Sequence, residues 1–468
     1  MVMPAQQGRD EERASDLEMF KPFRIKNVAF KNRILRSAMG GKMAYYDGTP
    51  NNAWKNFERR FARHGVGGII STTLSVDPRR IAPLEYPSLS HDRFVPAYKA
   101  AIREIREAGA VYIVQVGDPG YHTQGGLFSQ KADGRTSSAI FDLLYGYRST
   151  AGAMSEAEIA HSVVEHAEGV RRAREAGADG VEITASKGYL IHQFLNPGIN
   201  RRDDRYGGSP ENRFRFLEEI VTAARKAVGD DFMIGVRLSA IDYNYLPVNI
   251  RFPIFPTRRY LLGNGLDQTI PWAQKLETMG INYLHVTRGF GFINPKENPG
   301  DYPLDQIRIF GNAVRHLSAK AWFRAALLNT IPGFLLRPFL GMGWKKKLGE
   351  NAEYAAKFKQ ALKIPVLVNG GFQSRDLIED TLKSGKADMI TMARPLLANP
   401  DLLEHFKKGK AGPEKPCTFC NRCVIFTAVH PVGCYDPSRF KDQDEMEKHI
   451  LAWSGNPEPF AHALEKSD

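Results

Sequence analysis

Eight short apolar runs that alternate with helical patterns constrain the fold of this chain more than any other feature. Each run is rich in Val, Ile, Leu or Met and is bounded by polar or turn residues, as expected of strands in a buried parallel sheet. The runs are Arg33–Ala38, Gly67–Thr73, Val111–Val116, Gly180–Thr184, Phe232–Leu238, Asn282–Thr287, Pro365–Gly370 and Asp388–Ala393. Eight βα units on one chain predict an α/β fold of the TIM, or (β/α)8, barrel type rather than an open sheet.

In such a barrel the chemistry lies at the carboxyl ends of the strands, so the residues just after each run are candidate site residues. The segment Gly188–Arg213, which follows the fourth run, reads GYLIHQFLNPGINRRDDRYGGSPENR. It opens with Tyr189, a candidate acid, and it leads into Ser209 and Pro210, which are favoured at a helix N-cap and first helical position. The segment therefore predicts a loop at the barrel mouth and the start of the next helix.

The last two βα loops carry an anion-binding pattern. Gly370 and Gly371 follow the seventh run, and Ala393 and Arg394 follow the eighth. Glycine amides can approach an anion without obstruction, and the arginine adds a positive charge. Because TIM barrels commonly bind phosphate in these two loops, the pattern predicts a phosphate site.

Two segments interrupt the alternation. Asp242–Gln268 is rich in Pro, Tyr and Phe, and we expect a long loop over the barrel mouth that shapes a substrate pocket. Ser318–Lys347 is apolar, with a tryptophan near each end, interior arginines and a terminal lysine run. Two interpretations of Ser318–Lys347 are open: it lies in a membrane interface, with its basic residues against anionic headgroups, or it packs on the barrel and caps an apolar substrate channel.

These features divide the chain into three parts. A polar tail (1–18) precedes a barrel (19–410) that has insertions at about 242–268 and 290–350, and a cysteine-rich extension (411–468) follows.

Composition limits the partners. The 468 residues carry a formal charge of +12, yet the basic residues are dispersed and no nucleic-acid module is recognised. An anionic cofactor, substrate or lipid is therefore favoured over nucleic acid. The N-terminus lacks the apolar core of a secretory signal, so we expect a cytoplasmic protein, with peripheral membrane contact through 318–347 as the alternative.

All four cysteines lie in the extension, at Cys417, Cys420, Cys423 and Cys434. The spacing C-x2-C-x2-C-x10-C is typical of metal ligands, and four thiolates can enclose zinc or an iron-sulfur cluster. A secreted disulfide scaffold would distribute its cysteines more widely.

The chain also resembles a known family. The stretch HQFLNPGINRRDDRYGGSPENRFRFLEEIV is similar to the signature of the old yellow enzyme family of FMN-dependent NAD(P)H:flavin oxidoreductases, nearest its dienoyl-CoA reductase and trimethylamine dehydrogenase branch. The resemblance covers roughly Met19 to His405, apart from the two irregular segments. It implies bound FMN, with NAD(P)H as the electron donor.

The resemblance also assigns cofactor contacts to individual residues. Gln115 matches the glutamine that bonds the flavin pyrimidine edge, and Arg237 matches the arginine beside N1, where a cation stabilises the anionic reduced ring. Gly40 stands where many members carry a flavin-tuning Thr or Cys. The full set of implied FMN contacts is Ala38, Met39, Gly40, Thr73, Gln115, Arg237, Gly370, Gly371, Ala393 and Arg394.

At the flavin face the match is incomplete. Tyr189 corresponds to the family's proton donor. Thr184 and Lys187 stand where classical members polarise the substrate carbonyl with a His/Asn or His/His pair. The missing pair weakens the expectation of simple enone reduction. Lys187 could instead donate to an oxyanion or bind a carboxylate or phosphate.

The resemblance favours a 4Fe–4S cluster over zinc at the cysteines, because the cluster-bearing branch has a similar run after its barrel. In those relatives an appended dinucleotide-binding domain supplies electrons, and no second glycine-rich fingerprint follows Cys434 here. Three interpretations are open: NAD(P)H reduces FMN directly, a separate electron-donor protein acts through the metal centre, or the site is structural.

The sequence thus predicts an enzyme that passes hydride from NAD(P)H through FMN to an electron-poor double bond of a hydrophobic or acyl-type substrate. The alternatives are flavin-dependent C–N or C–O bond cleavage and an electron-transfer or membrane-associated flavoprotein.

Overall fold

The computed structural model describes residues 16–81, 86–123, 134–141, 150–251, 257–291, 294–427 and 429–454. Most of the predicted N-terminal tail and the last 14 residues of the predicted extension lie outside these ranges.

Eight parallel strands close into a barrel, and each of them falls within or overlaps one predicted run. Neighbouring strands in the sheet are also neighbours in sequence, and the last strand pairs with the first. The strands are β1 (Ile34–Arg36), β2 (Gly68–Ser75), β3 (Val111–Gly117), β4 (Gly180–Ala185), β5 (Met233–Ser239), β6 (Tyr283–Thr287), β7 (Val366–Val368) and β8 (Met389–Met392). The TIM-barrel prediction is confirmed.

Helices surround the barrel and fill the connections. They are α1 (Asn52–Arg63), α2 (Val95–Glu107), α3 (Glu156–Glu175), α4 (Leu190–Leu195), α5 (Pro210–Val228), α6 (Arg258–Leu261), α7 (Leu266–Thr278), α8 (Leu304–Val314), α9 (Ala319–Thr330), α10 (Gly333–Leu340), α11 (Ala352–Ala361), α12 (Arg375–Lys383), α13 (Arg394–Ala398), α14 (Leu402–Lys407), α15 (Arg422–Phe426) and α16 (Gln443–Ser454). The cap predicted for α5 is present, since the Ser209 side chain accepts a hydrogen bond from Asn212 N and Pro210 is the first helical residue.

Large apolar side chains fill the lower barrel, so it is a packed core rather than a channel. They include Leu35, Ile70, Ile113, Met233, Tyr283, Leu367 and Met389. A hairpin of Phe23–Ile25 and Val28–Phe30 adds Ile25 and Phe30 to the same core. Gly235 on β5 makes room for this packing, because a Cβ there would stand 2.0 Å from the Tyr283 ring. The side chains left to bind a ligand are therefore those at the carboxyl end.

Both irregular segments contain short helices. The segment after β5 holds α6 and the start of α7, and the connection after β6 holds α8, α9 and α10. Among the described residues, no helix combines the length and the apolar character that crossing a bilayer would need.

A buried ion pair joins the barrel to its first helix. Arg36 on β1 contacts Glu58 on α1, and both side chains are fully buried. The guanidinium also lies over the rings of Phe57 and Phe61, at 5.5 and 5.4 Å from their centroids. Such a pair is costly to break, because removal of one partner leaves the other charged in a dry site.

We expect Glu58→Ala to lower the free energy of unfolding by about 3–5 kcal/mol, since it strands Arg36. Urea unfolding followed by tryptophan fluorescence measures the change. Glu107→Ala is the matched control, because its partner Arg103 is 74% exposed and an exposed pair contributes about 0–1 kcal/mol. Equal losses in the two variants would contradict the assignment.

Candidate active site

A cavity of about 940 Å³ opens at the carboxyl end of the barrel. This volume lies near the top of the range of roughly 300–1,000 Å³ for ligand pockets, so it can hold a cofactor together with a substrate. The structure brings twelve of the residues predicted for FMN and catalysis into its lining. They are Ala38, Met39, Gly40, Thr73, Gln115, Lys187, Tyr189, Arg237, Gly370, Gly371, Ala393 and Arg394.

Thr184 is the predicted residue of this group that does not line the cavity. Its side chain is buried, its Oγ1 has no hydrogen-bond partner, and its methyl group would stand 2.5 Å from a Cβ on Gly117 of the neighbouring strand. Thr184 therefore packs between strands. A substrate-binding group would face the cavity, and Thr184 does not.

A fully buried carboxylate, Glu182 on β4, organises the cavity floor. It accepts hydrogen bonds from Gln115 Nε2 at 2.6 Å, from His285 Nδ1 at 2.9 Å and from Tyr283 OH at 3.3 Å. His285 Nε2 in turn accepts from Thr391 Oγ1 at 2.9 Å. Four strands, β3, β4, β6 and β8, are thus tied together across the barrel.

The protonation states of this network follow from its contacts. Burial raises the pKa of Glu182, but His285, Arg237 and the hydrogen bonds outweigh that effect and bring it below its ordinary value. Burial also lowers the pKa of His285, against the opposing pull of Glu182. At neutral pH the pair is an ionised carboxylate and a neutral imidazole with its proton on Nδ1.

Gln115 is held in one orientation by this network. Its Oε1 accepts a short hydrogen bond from Thr73 Oγ1, while its Nε2 donates to Glu182. A side-chain amide has two lone pairs and two protons, so one of each is left for a ligand in the cavity. That pair of groups matches a pyrimidine edge, which also presents adjacent donors and acceptors.

Arg237 on β5 supplies the buried positive charge of the site. Its side chain is almost completely buried, and its Nε has no hydrogen-bond partner in the protein. Burial lowers its pKa, whereas Glu182 and Tyr189 nearby favour the charged form. An unsatisfied buried guanidinium nitrogen is costly unless a ligand accepts from it, so the site fits a cofactor with an acceptor or anionic ring atom at this point.

The loops after β7 and β8 fit the predicted phosphate site. Gly370 and Gly371 have φ angles of 133° and 79°, which residues other than glycine rarely adopt. A Cβ on Gly370 would stand 2.9 Å from Asn351 Nδ2. Both glycines line the cavity, so an anion there could approach the backbone without a side chain of these residues in its way.

Arg394 belongs both to the cavity wall and to the cysteine extension. Its Nη1 donates to Pro299 O at 2.8 Å and contacts Asn421 Oδ1, while its guanidinium lies over the Phe419 ring at 4.8 Å. The positive charge predicted for phosphate is thus partly engaged by protein oxygens.

A tight turn aims Tyr189 at the cavity. Lys187 and Gly188 both have left-handed backbones, with φ of 62° and 75°, and they reverse the chain directly after β4. Gly188 N donates to His192 Nδ1 at 3.1 Å, and His192 Nε2 donates to Asp242 Oδ1 at 2.8 Å. This chain of contacts fixes the turn from behind.

Asp242 is the anchor of that chain. It is fully buried and also accepts from Asn196 Nδ2 at 3.0 Å and Asn264 Nδ2 at 2.7 Å. Burial raises its pKa, but His192 and the hydrogen bonds outweigh burial and lower it below the ordinary value. Asp242 is therefore ionised and accepts through both oxygens.

Sequence reasoning missed two polar residues of the cavity. Glu297 lies in the connection after β6, and its buried carboxylate contacts Lys187 Nζ. His122 follows β3, and its Nε2 would stand 3.2 Å from a Cβ on Gly188. Both line the cavity together with Tyr189. No periodic pattern marks them, because Glu297 lies in a loop and His122 in a single 3₁₀ turn, Gly120–His122.

Burial, together with the cations of Arg237 and Arg394, holds the pKa of Lys187 well below its usual value. The Glu297 carboxylate in contact with it favours the charged form. The result is a compact donor–acceptor pair next to the candidate acid.

The outer half of the cavity is apolar. Its walls come from the loop after β5 and from α8, α9 and α10. They include Leu246, Pro247, Ile307, Phe310, Phe323, Leu327, Leu336, Phe339, Leu340 and Met342. Of the two interpretations of Ser318–Lys347, the excursion that caps an apolar channel describes this part of the structure.

The four cysteines surround a second, small cavity, together with Arg394 and Arg439. Arg439 Nη1 donates to Cys434 Sγ at 3.1 Å, and Phe419 N donates to Cys417 Sγ at 3.4 Å. Burial raises the pKa of Cys417 to about 11, so without a metal this thiol is protonated at neutral pH. Within the described ranges, no group of three or more His, Cys, Asp or Glu side chains is arranged to hold a metal ion.

The two cavities are adjacent, because Cys423 lines both. The large cavity lies at the carboxyl end of the closed barrel, which is where TIM-barrel enzymes carry their active sites. Profiles of known families agree, since the NADH:flavin oxidoreductase / NADH oxidase family matches residues 18–247 and 343–412. The chain belongs to this family.

Two relatives that share 31% of aligned residues with this chain are longer proteins. A metal reductase of Desulforamulus reducens is 31% identical over 427 residues, which are 89% of this chain and 53% of that protein. An N,N-dimethylglycine/sarcosine dehydrogenase of Chromohalobacter salexigens is 31% identical over 411 residues, 87% of this chain and 50% of that protein. The chain thus spans about half the length of these curated relatives.

A solved complex of 2-naphthoyl-CoA reductase shares the fold, with a TM-score of 0.70 at 22% identity over 89% of this chain and 56% of that one.

We expect Asp242→Asn to lower the free energy of unfolding by about 2 kcal/mol at pH 7, because it removes hydrogen bonds to a charged group. A lowered carboxyl pKa stabilises the fold above its unfolded value, and this contribution is lost as the pH falls through the folded value. The difference between wild type and variant in urea midpoint should therefore narrow on acidification.

Asp267→Asn serves as the control for Asp242→Asn, since Asp267 pairs with Arg251 on the surface and 61% of its side chain is exposed. If the urea midpoint of the wild type exceeded that of Asp242→Asn by the same amount at acidic pH as at pH 7, the ionised state of Asp242 would be contradicted.

Proposed function

We propose that this chain is an NAD(P)H-dependent flavin oxidoreductase that binds FMN in the large cavity and reduces an electron-poor C=C bond of a hydrophobic or acyl-type substrate. Bound FMN would supply hydride transfer between the nicotinamide and the substrate. The remaining chemistry falls to the protein, which has to hold the cofactor, orient the substrate and move a proton.

One observation carries the proposal: a single cavity contains cofactor-type polar groups at its base, Tyr189 at its side and an apolar outer wall. Gln115 and Arg237 would hold the flavin ring, and Gly370, Gly371 and Ala393 would hold its phosphate. The outer wall suits a substrate with a large apolar or aromatic part, as in the 2-naphthoyl-CoA bound by the fold relative.

Tyr189 is the proposed proton donor. A phenol is a suitable acid for this step, because phenols ordinarily have a pKa near 10 and are protonated at physiological pH. Lys187 and His122 lie on the same side of the cavity and can donate hydrogen bonds to a substrate oxygen. Lys187, which stands at one position of the classical pair, and His122, which follows β3, would together take the place of that pair.

We expect Tyr189→Phe to slow the oxidative half-reaction with an enone or enoyl substrate by about 10²–10⁴-fold, because a positioned acid contributes on that order. Reduction by NAD(P)H should be unaffected, because that step needs no proton from Tyr189. Stopped-flow absorbance separates the two half-reactions.

Tyr46→Phe is the control, because Tyr46 is an exposed tyrosine outside the cavity lining. A Tyr189→Phe enzyme with a wild-type oxidative rate would remove the acid assignment.

A second candidate activity is oxidative C–N bond cleavage. It is favoured by the 31% identity to the dimethylglycine/sarcosine dehydrogenase and by Glu297, a carboxylate in the cavity that suits a cationic amine. Anaerobic mixing distinguishes the candidates, because an amine substrate would bleach the oxidised flavin without NAD(P)H, whereas an enone would reoxidise the reduced flavin.

We further propose that the four cysteines hold a 4Fe–4S cluster rather than zinc. In such a cluster each thiolate binds a different iron, so its ligands stand further apart than those of one zinc ion. All four cysteines line one small cavity, which supports a single centre bound by four thiolates. Arg394 and Arg439 beside the sulfurs would balance the negative charge of the ligated cluster.

We expect the anaerobically purified protein to contain about four irons and four sulfides per chain, and Cys423→Ser to lose most of both. Thr427→Val is the control, since Thr427 lines the large cavity near Cys423 but is no ligand. Iron, sulfide and zinc analysis gives the answer. Stoichiometric zinc without sulfide would contradict the cluster while leaving the flavin proposal intact.

A further inference from the structure

The most apolar helix of the structure is also its least buried. Helix α10, GFLLRPFL, contains no buried residue, and Phe334 and Phe339 are 74% and 77% exposed. A helix that is apolar on all sides is ordinarily enclosed by protein or by lipid. Within this chain nothing in the described structure encloses it.

Helix α9 extends the same surface. Its Ala321, Ala325 and Leu328 are buried, whereas Trp322 and Phe323 are exposed. Of the sixteen large hydrophobic side chains exposed among the described residues, eight lie in this short stretch. They are Trp322, Phe323, Leu327, Phe334, Leu335, Phe339, Leu340 and Met342, and we call them the apolar hairpin surface. Contiguous patches of this kind mark interaction sites.

The charge of the hairpin is one-sided. Ser318–Lys347 contains no Asp or Glu and six basic residues, namely Lys320, Arg324, Arg337, Lys345, Lys346 and Lys347. The last three are exposed, next to the apolar hairpin surface in sequence. Aromatic and aliphatic side chains combined with an excess of lysine and arginine are the composition of segments that lie in anionic membrane interfaces.

The hairpin is firmly mounted on the barrel. Arg308 on α8 donates to the carbonyls of Leu328 and Ile331, both at 2.9 Å, and so caps the end of α9. The Tyr302 and Trp344 rings meet edge to face at 5.5 Å. The apolar hairpin surface is therefore held outward by specific contacts within the fold.

The same surface surrounds the mouth of the active-site cavity. Phe323, Leu327, Phe339, Leu340 and Met342 are exposed and also line the cavity. A molecule that covers the hairpin therefore lies against the opening through which an apolar substrate enters.

We propose that the apolar hairpin surface docks on an anionic lipid bilayer, with the cavity mouth facing the lipid, and that the substrate is a lipophilic compound dissolved in the membrane. The docking stands on the hairpin alone, whereas the substrate class rests on the proposed reductase function. Lipid is favoured over a protein partner because every exposed side chain of α10 except Arg337 is apolar, which suits a fluid phase. The charged residues of Ser318–Lys347 are also all basic, although Arg337 pairs with Asp305 of α8.

Co-sedimentation of the purified holoprotein with phosphatidylcholine vesicles, with and without phosphatidylserine, tests the docking. We expect binding to the phosphatidylserine vesicles that weakens with added salt. Phe334→Asp should reduce the partition coefficient by about tenfold or more, because a large apolar contact is lost. Lys345→Gln and Lys346→Gln should each reduce it by roughly fivefold.

Val164→Asp on α3 is the matched control, since Val164 is 56% exposed and lies far from the hairpin in sequence. It should bind vesicles as wild type does. Phe334 does not line the cavity, so Phe334→Asp should reduce a small water-soluble enone at the wild-type rate, which also reports a correct fold. The same variant should lose activity toward a long-chain enone presented in phosphatidylserine vesicles.

Failure of the wild-type protein to bind phosphatidylserine vesicles would overturn the docking. The docking would also be overturned if light scattering showed that the wild type is a dimer and Phe334→Asp is a monomer. The apolar hairpin surface would then join two copies of the chain. Vesicle binding without any enone reduction would leave the docking in place and refute the reductase function instead.

Discussion

The architecture of the site depends on the buried carboxylate of Glu182. A charge in the barrel interior is tolerated only when its hydrogen bonds are satisfied, and Gln115, Tyr283 and His285 supply them from three other positions of the barrel. Each of those side chains is consequently fixed in one orientation. The orientation of the amide that faces the cavity and the position of the His285 proton on Nδ1 both follow from this requirement. Loss of one of these hydrogen bonds to Glu182 would disturb the side chains at the base of the cavity before it unfolded the barrel.

Most of the barrel could be predicted from sequence because its signals are local. Buried parallel strands show as apolar runs, and the glycines after β7 and the cap before α5 have fixed conformational reasons. Glu297 and His122 could not be predicted, since they reach the cavity from a loop and from a single 3₁₀ turn, and only the fold brings them together with Tyr189. Thr184 was assigned by correspondence with other proteins, and its side chain packs between strands instead. Residues of Ser318–Lys347 line the cavity, as the capping interpretation predicts, whereas the membrane-interface interpretation stays a prediction.

The cofactor cavity and the cysteine site are one connected region. Cys423 lines both spaces, and Arg394 contacts the extension through Pro299, Asn421 and Phe419 while it faces the phosphate loops. Positive charge is concentrated between two groups that we propose to be anionic, a phosphate and a ligated cluster. The same guanidinium would influence the stability of both. Occupation of either site should therefore change the affinity of the other site for its ligand.

The packing of Val432 on the first βα loop has a consequence for synthesis of the protein. A Cβ on Gly41 would stand 1.7 Å from Val432 Cγ2, and α16 packs on α1, so the beginning and the end of the described chain close on each other. Val432 and Ile425 also form part of the cavity wall beside Met39. A nascent chain that has completed all eight strands on the ribosome still lacks this wall. The cavity wall is therefore completed only after Ile425 and Val432 of the extension have been synthesised.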